Sequence, residues 1–133
     1  MHAALARFWS GAAARGLEPS AEWRARFDTA VIEIAGNILR HAYPAGHKPG
    51  NVKLRLRLYA DRAEALLTDR GIPFEEPPAP AADAEVDPLE LPEGGYGLSI
   101  ARAALDRLEY TRRARGANRW QLVKKLERAA RPT

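Results

Sequence analysis

No cysteine occurs among the 133 residues. Disulfide staples and thiolate metal sites are therefore excluded, and the composition suits a reducing compartment. No apolar run approaches the roughly 18 residues that a helix needs to cross a bilayer. The opening MHAALARFW lacks the charged start, apolar centre and cleavage site of a secretory leader. A cytoplasmic protein with no membrane segment is the expectation. Internal repeats are absent as well. Aromatics make up only 8% of the chain. Beyond Tyr110 and Trp120 they do not interleave with the cations, as a surface for stacking nucleic-acid bases requires. What remains is a chain 46% hydrophobic and long enough for one domain, residues 1 to 133, with its own core.

The net charge of +4 is unevenly spread. Residues 73 to 93, PFEEPPAPAADAEVDPLELPE, hold seven acids, six prolines and no Lys or Arg. That window carries −7, so the remainder carries +11. A basic body attracts phosphates, nucleic acid or an acidic protein; equally, scattered arginines keep a small protein soluble. No regular element fits the proline-rich window. Its length makes it either a functional lid or a plain insert.

Elsewhere the periodicities are readable. Residues 2 to 15 form a helix with Leu5, Phe8, Trp9 and Ala12 on one side, and Gly16 fits its stop. Ser20 is an N-cap candidate for a second helix, from about Ala21 to about Ala42. Phe27, Val31, Ile34 and Ile38 give that helix a core stripe. Val52, Leu54, Leu56 and Leu58 then alternate with Lys53, Arg55 and Arg57, a half-buried strand. Its cations face solvent or a polyanion. Asp61-Arg62 turns the chain into a return strand, Ala63 to Thr68. After the acidic window, GGYGLSIARAALDRL is glycine-rich and then helical. Leu108 to Arg113 and Arg119 to Leu126 form a closing hairpin that turns at residues 115 to 118, with Trp120 and Leu122 toward the core. The fold class implied is α+β, a two-layer sandwich of helices against a sheet.

Three stretches carry chemistry. In VIEIAGNILRHAY, residues 31 to 43, Glu33 and Asn37 lie one turn apart on a strongly apolar helix. They continue a polar line from Thr29 to His41. A carboxylate in that setting is solvated, paired or reactive. TDRGIPF, residues 68 to 74, puts Asp69 and Gly71 at a strand end, where ordinary turn chemistry also places them. EGGYGLSI, residues 93 to 100, runs glycines into a helix start, which is a phosphate cradle or simply a turn.

Taken in order, Glu33-x-x-x-Asn37, Asp69-x-Gly71 and Gly95-x-Gly97-Leu98 resemble the GHKL ATPase superfamily. Within it the pattern looks most like the single-domain anti-sigma factor serine/threonine kinases of the RsbW and SpoIIAB type. EIAGNILRHAY, DRGIPF, EGGYGLSIARAALDRLEY and NRWQLVKKL carry the likeness, over about residues 20 to 126. The resemblance implies the Bergerat nucleotide-binding fold, a mixed, mostly antiparallel sheet with helices on one face. It implies ATP and Mg²⁺ as cofactors. Asn37 matches the Mg²⁺ ligand, Glu33 the general base and Asp69 the carboxylate that accepts from the adenine amino group. Gly71 matches the close pass of backbone to base. Gly94, Gly95 and Gly97, with Leu98, match the surround of the triphosphate, and residues 74 to 93 the lid. One helical turn, about 5.4 Å, is a sensible offset between a metal ligand and a base.

The implied activity is phosphorylation of a serine on a STAS-type anti-anti-sigma protein, with sequestration of a sigma factor. The alternative is a non-catalytic, nucleotide-gated protein-binding module of the same fold. Neither reading involves direct binding of nucleic acid or membrane; a nucleic-acid surface would have to use Arg112, Arg113, Arg115, Arg119, Lys124 and Lys125. The chain departs from the pattern in three places. Ile72-Pro73 stand where relatives usually have a second glycine. The first helix comes without the preceding edge strand that contributes to subunit pairing, so that strand is absent or trimmed and a homodimer is left open. The lid is longer and more acidic than the pattern implies.

Overall fold

The computed structural model describes residues 1–17, 19–41, 52–74 and 97–127. Helix α1, His2–Ala14, buries Leu5, Trp9 and Ala12, spaced by four and three residues on one face. It ends at Gly16, whose φ of +74° lets the chain reverse. Gly16 N then donates to Ala13 O and Leu17 N to Ala12 O, so the last carbonyls find partners. Helix α2, Ala21–His41, starts where Ser20 Oγ accepts from Trp23 N at 3.2 Å. Its apolar stripe runs through Trp23, Phe27, Val31, Ile34 and Ile38, all buried.

Where α1 crosses α2 the aromatics interlock. Trp23 and Phe27 stack at 5.5 Å, and Trp9 meets both edge-on. Each buried indole N–H has a partner. Trp9 donates to Asp28 Oδ1 and Trp23 to the carbonyl of Lys125, both at 2.8 Å.

Four strands follow: β1 Lys53–Leu58, β2 Arg62–Asp69, β3 Arg107–Arg113 and β4 Ala117–Lys125. Their spatial order is β1-β2-β4-β3. The fold is α+β, and the sheet is antiparallel throughout among the described residues. Alternation along β2 and β4 sends Ala63, Ala65, Leu67, Trp120 and Leu122 into the same core as the α2 stripe. Lys53, Arg55 and Arg57 point the other way and are exposed. Helix α3, Gly97–Ala104, packs beside α2. Among the described residues no helix is long and apolar enough to cross a membrane.

Two boundary differences bear on the site. Strand β2 extends one residue further, so Asp69 is its last paired residue and lies opposite Asn118. The closing hairpin turns at Ala114–Gly116, starting one residue and ending two residues before the expected turn, with Arg115 and Gly116 both at positive φ. Asn118 is thereby a strand residue rather than part of the turn. Asp69, Asn118 and Arg112 form one row across β2, β4 and β3, and Leu67, Trp120 and Tyr110 form the next inward.

Candidate functional site

Along α2 the polar line sinks inward: Thr29 is exposed, Glu33 half-buried and Asn37 buried. Asn37 Nδ2 has no hydrogen-bond partner among the described residues. A buried amide left in that state costs about 1–3 kcal/mol. Glu33 turns toward the first residue of α3. A Cβ at Gly97 would stand 2.6 Å from Glu33 Oε2, so only glycine admits the carboxylate there. The Arg40 guanidinium folds back along α2 to the same spot, 3.7 Å from that Cβ position. The N-terminus of α3, the carboxylate and the guanidinium thus converge where α2 and α3 meet.

The second cluster lies at the end of β2. Asp69 is 2% exposed. Its Oδ1 accepts from Gly71 N and from Asn118 Nδ2, each at 2.8 Å. Its Oδ2 is buried and accepts from nothing among the described residues. Asn118 Nδ2 also lies 3.0 Å from Gly71 O and 3.2 Å from Ile72 O, which ties the loop after β2 to the sheet. On the amide's other side Oδ1 accepts from Tyr110 Oη at 2.6 Å and from Arg112 at 2.8 Å.

Between the clusters is a pocket with a cavity volume of about 10 Å³, lined by Asn37, Ile38, Asp69, Ile72, Phe74, Tyr110, Asn118 and Trp120. That is room for about one water, against about 300–1,000 Å³ for a small-molecule site, so a ring enters only when the lining side chains move. Its walls are mostly apolar, with Asp69 and Asn37 as polar points. Phe74 sits against Trp120 at 4.9 Å and Tyr110 at 5.7 Å, held by its N–H donating to Tyr110 Oη.

A family model described as a histidine kinase-like ATPase domain matches residues 1–124. The chain belongs to this family. Curated relatives include the serine-protein kinase RsbW of Halalkalibacterium halodurans, 34% identical over 84 residues, 60% of this chain and 50% of that protein. RsbW of Bacillus licheniformis is 32% identical over 83 residues, 58% of this chain and 50% of that protein. This chain therefore spans about half the length of the curated relatives it matches. A solved structure of the mycobacterial sensor histidine kinase MprB superposes with a TM-score of 0.47 at 20% identity, over 78% of this chain and 72% of that one.

Within this ATPase-family chain the sequence-predicted site residues fall into two groups. Asn37 and Asp69 line the pocket, Gly71 is bonded to Asp69, and Glu33 and Gly97 meet beside it. Leu98 packs against the hydrophobic core. Gly94 and Gly95 lie outside the described residues, and of residues 74 to 93 only Phe74 is described. The basic residues weighed for nucleic acid are partly committed elsewhere. Arg112 donates to Asn118 and to Gly71 O. Lys124 donates to the carbonyl of Ala104 at 2.7 Å.

Sequence reasoning missed Asn118, Tyr110, Phe74 and Arg112. A signal for Asn118 existed. Trp120 and Leu122 were expected to face the core, and the same alternation two residues back puts Asn118 on that face.

Proposed function

We propose that this chain is an ATP-binding anti-sigma regulatory factor with serine/threonine protein kinase activity. It phosphorylates a STAS-type antagonist and holds a sigma factor. The observation that carries the nucleotide reading is Asp69: a buried carboxylate with one oxygen doubly satisfied and the other without a partner among the described residues, lining a small, mostly apolar pocket. An amine donor supplied by a ligand completes it, and the adenine amino group is such a donor. The kinase reading draws further support from family membership and from the likeness to proteins named serine-protein kinase.

In this reading Asp69 selects adenine and Gly71 lets the backbone lie close to the base. Gly94, Gly95, Gly97 and Leu98 border the triphosphate. Asn37 holds Mg²⁺ through its carbonyl oxygen, a hard ligand of the kind that ion takes. The fit rests on the donor chemistry: Asn37 lines the pocket, and its amide oxygen is a neutral, hard ligand. Held there with the phosphates, Mg²⁺ would supply neutralisation of their charge. Glu33 takes the proton from the attacking serine hydroxyl, and no side chain of this protein becomes covalently modified.

The test is calorimetric titration with ATP, with and without Mg²⁺, on wild type, Asn37→Ala and Asp69→Asn. Wild type binds; Asn37→Ala loses the Mg²⁺-dependent part; Asp69→Asn loses about tenfold or more. A folded wild type that binds no ATP sinks the reading.

A further inference from the structure

Asn118 is 1% exposed, and both ends of its side chain are engaged. The partners sort by chemistry. On the Nδ2 side stand Asp69 Oδ1, Gly71 O and Ile72 O, at 2.8, 3.0 and 3.2 Å, where the carboxylate and both carbonyls can only accept. On the Oδ1 side stand Arg112, which can only donate, and Tyr110 Oη. Tyr110 already accepts from Phe74 N, so its own proton is free for Asn118. The amide has one orientation that satisfies every neighbour. Flipped, it would set donors against Arg112 and a carbonyl against a carboxylate.

That orientation has a consequence for Asp69. The Asn118 N–H, together with Gly71 N, saturates Oδ1 and fixes the carboxylate plane. Oδ2 is left without a partner among the described residues, on a side chain that lines the pocket. We propose that Asn118 is the positioning residue that makes Asp69 discriminate amino-purines from oxo-purines, with Arg112 and Tyr110 setting the sense of its amide. The proposal rests on the nucleotide reading above. A 6-amino group donates to Oδ2; a 6-oxo group presents a second acceptor there and is repelled. Discrimination of this kind needs a fixed acceptor, since a carboxylate free to rotate can turn its charge away from the carbonyl. A site that binds through placed buried polar groups rejects a mismatched analogue more strongly than an apolar pocket does.

The experiment uses the full chain with Mg²⁺-ATP by calorimetry and Mg²⁺-GTP by displacement. The variants are Asn118→Asp, which swaps the donor for an acceptor, Asn118→Leu, which removes both, and Arg112→Met, which removes the orienting donor at an exposed position. Circular dichroism and a thermal melt accompany each. We expect wild type to prefer ATP. In both position-118 variants ATP should weaken about tenfold or more while GTP changes little, so the ratio collapses. Arg112→Met narrows the ratio in the same direction by a smaller factor. If ATP and GTP weaken equally at position 118, Asn118 merely supports the loop and the proposal is overturned. If the position-118 variants do not fold, an unchanged ratio in Arg112→Met overturns it. A wild type that binds ATP and GTP equally well overturns it too while leaving the nucleotide site intact; a wild type that binds neither removes the site itself.

Discussion

A side chain on residue 97 would place its Cβ 2.6 Å from Glu33 Oε2. The obstacle is the tip of a flexible side chain, so accommodation is easy for the fold and harmful to the placement of the carboxylate. Gly97→Ala is therefore expected to keep the melting temperature close to wild type, helped by alanine's better helix propensity. Phosphoryl transfer from labelled ATP to a STAS-type acceptor should fall about tenfold or more. An unchanged rate would show that Glu33 does not need its present position.

The direct test of Glu33 is its replacement by alanine. Loss of a general base costs about 10²- to 10⁴-fold, with ATP binding retained. The double variant Glu33→Ala/Gly97→Ala should then be no slower than Glu33→Ala alone, because the two changes remove the same function. Near-normal transfer by Glu33→Ala favours the non-catalytic, nucleotide-gated module instead.

Much of this arrangement was legible in the chain because it rests on local spacing. Glu33 and Asn37 share a helix face by the 3.6-residue period alone. The strand pattern of residues 52 to 58 and the core positions Trp120 and Leu122 follow from alternation. The Asp69–Asn118 pairing was not legible, since it joins residues 49 apart through a register that no local pattern fixes. Arg115 in the left-handed region ends the hairpin turn two residues before the expected position, and a non-glycine at positive φ leaves little trace in sequence. Arg112 read as part of a basic surface because its partners, the Gly71 carbonyl in the loop after β2 and the Asn118 amide on β4, lie outside its own strand, 41 and 6 residues away.

The aromatic layer between α1 and α2 should dominate stability without touching the pocket. Phe27 is fully buried, stacked on Trp23 and edge-on to Trp9. Phe27→Ala is expected to cost about 3–5 kcal/mol in urea denaturation. A loss below about 1 kcal/mol would mean that the layer collapses to fill the void.

Asp28 gives stability a pH dependence of defined sign. Burial raises its carboxyl above the ordinary 3.8, outweighing the Trp9 hydrogen bond and the positive charges of Arg24 and His2. The folded state therefore holds this proton more tightly than the unfolded chain does. Asp28 contributes most below 3.8, and that contribution is lost as pH rises through the folded-state value. Asp28→Asn keeps an acceptor for the indole and removes the titration. Its stability relative to wild type should rise between about pH 3 and pH 7, measured by denaturant melts. A flat or opposite difference contradicts the assignment.

Trp120 offers a direct optical readout of the pocket. It lines the cavity with Phe74 and Tyr110, whereas the other two tryptophans, Trp9 and Trp23, sit in the α1–α2 layer. A base entering between Asp69 and Trp120 must disturb the Phe74 contact at 4.9 Å, so the Trp120 environment changes on binding. Intrinsic fluorescence should shift as ATP is added, saturating with the calorimetric affinity. Trp120→Phe should remove that shift while keeping an aromatic wall. If the shift survives in Trp120→Phe, the nucleotide is sensed from the helical layer instead, and the ring does not enter this pocket.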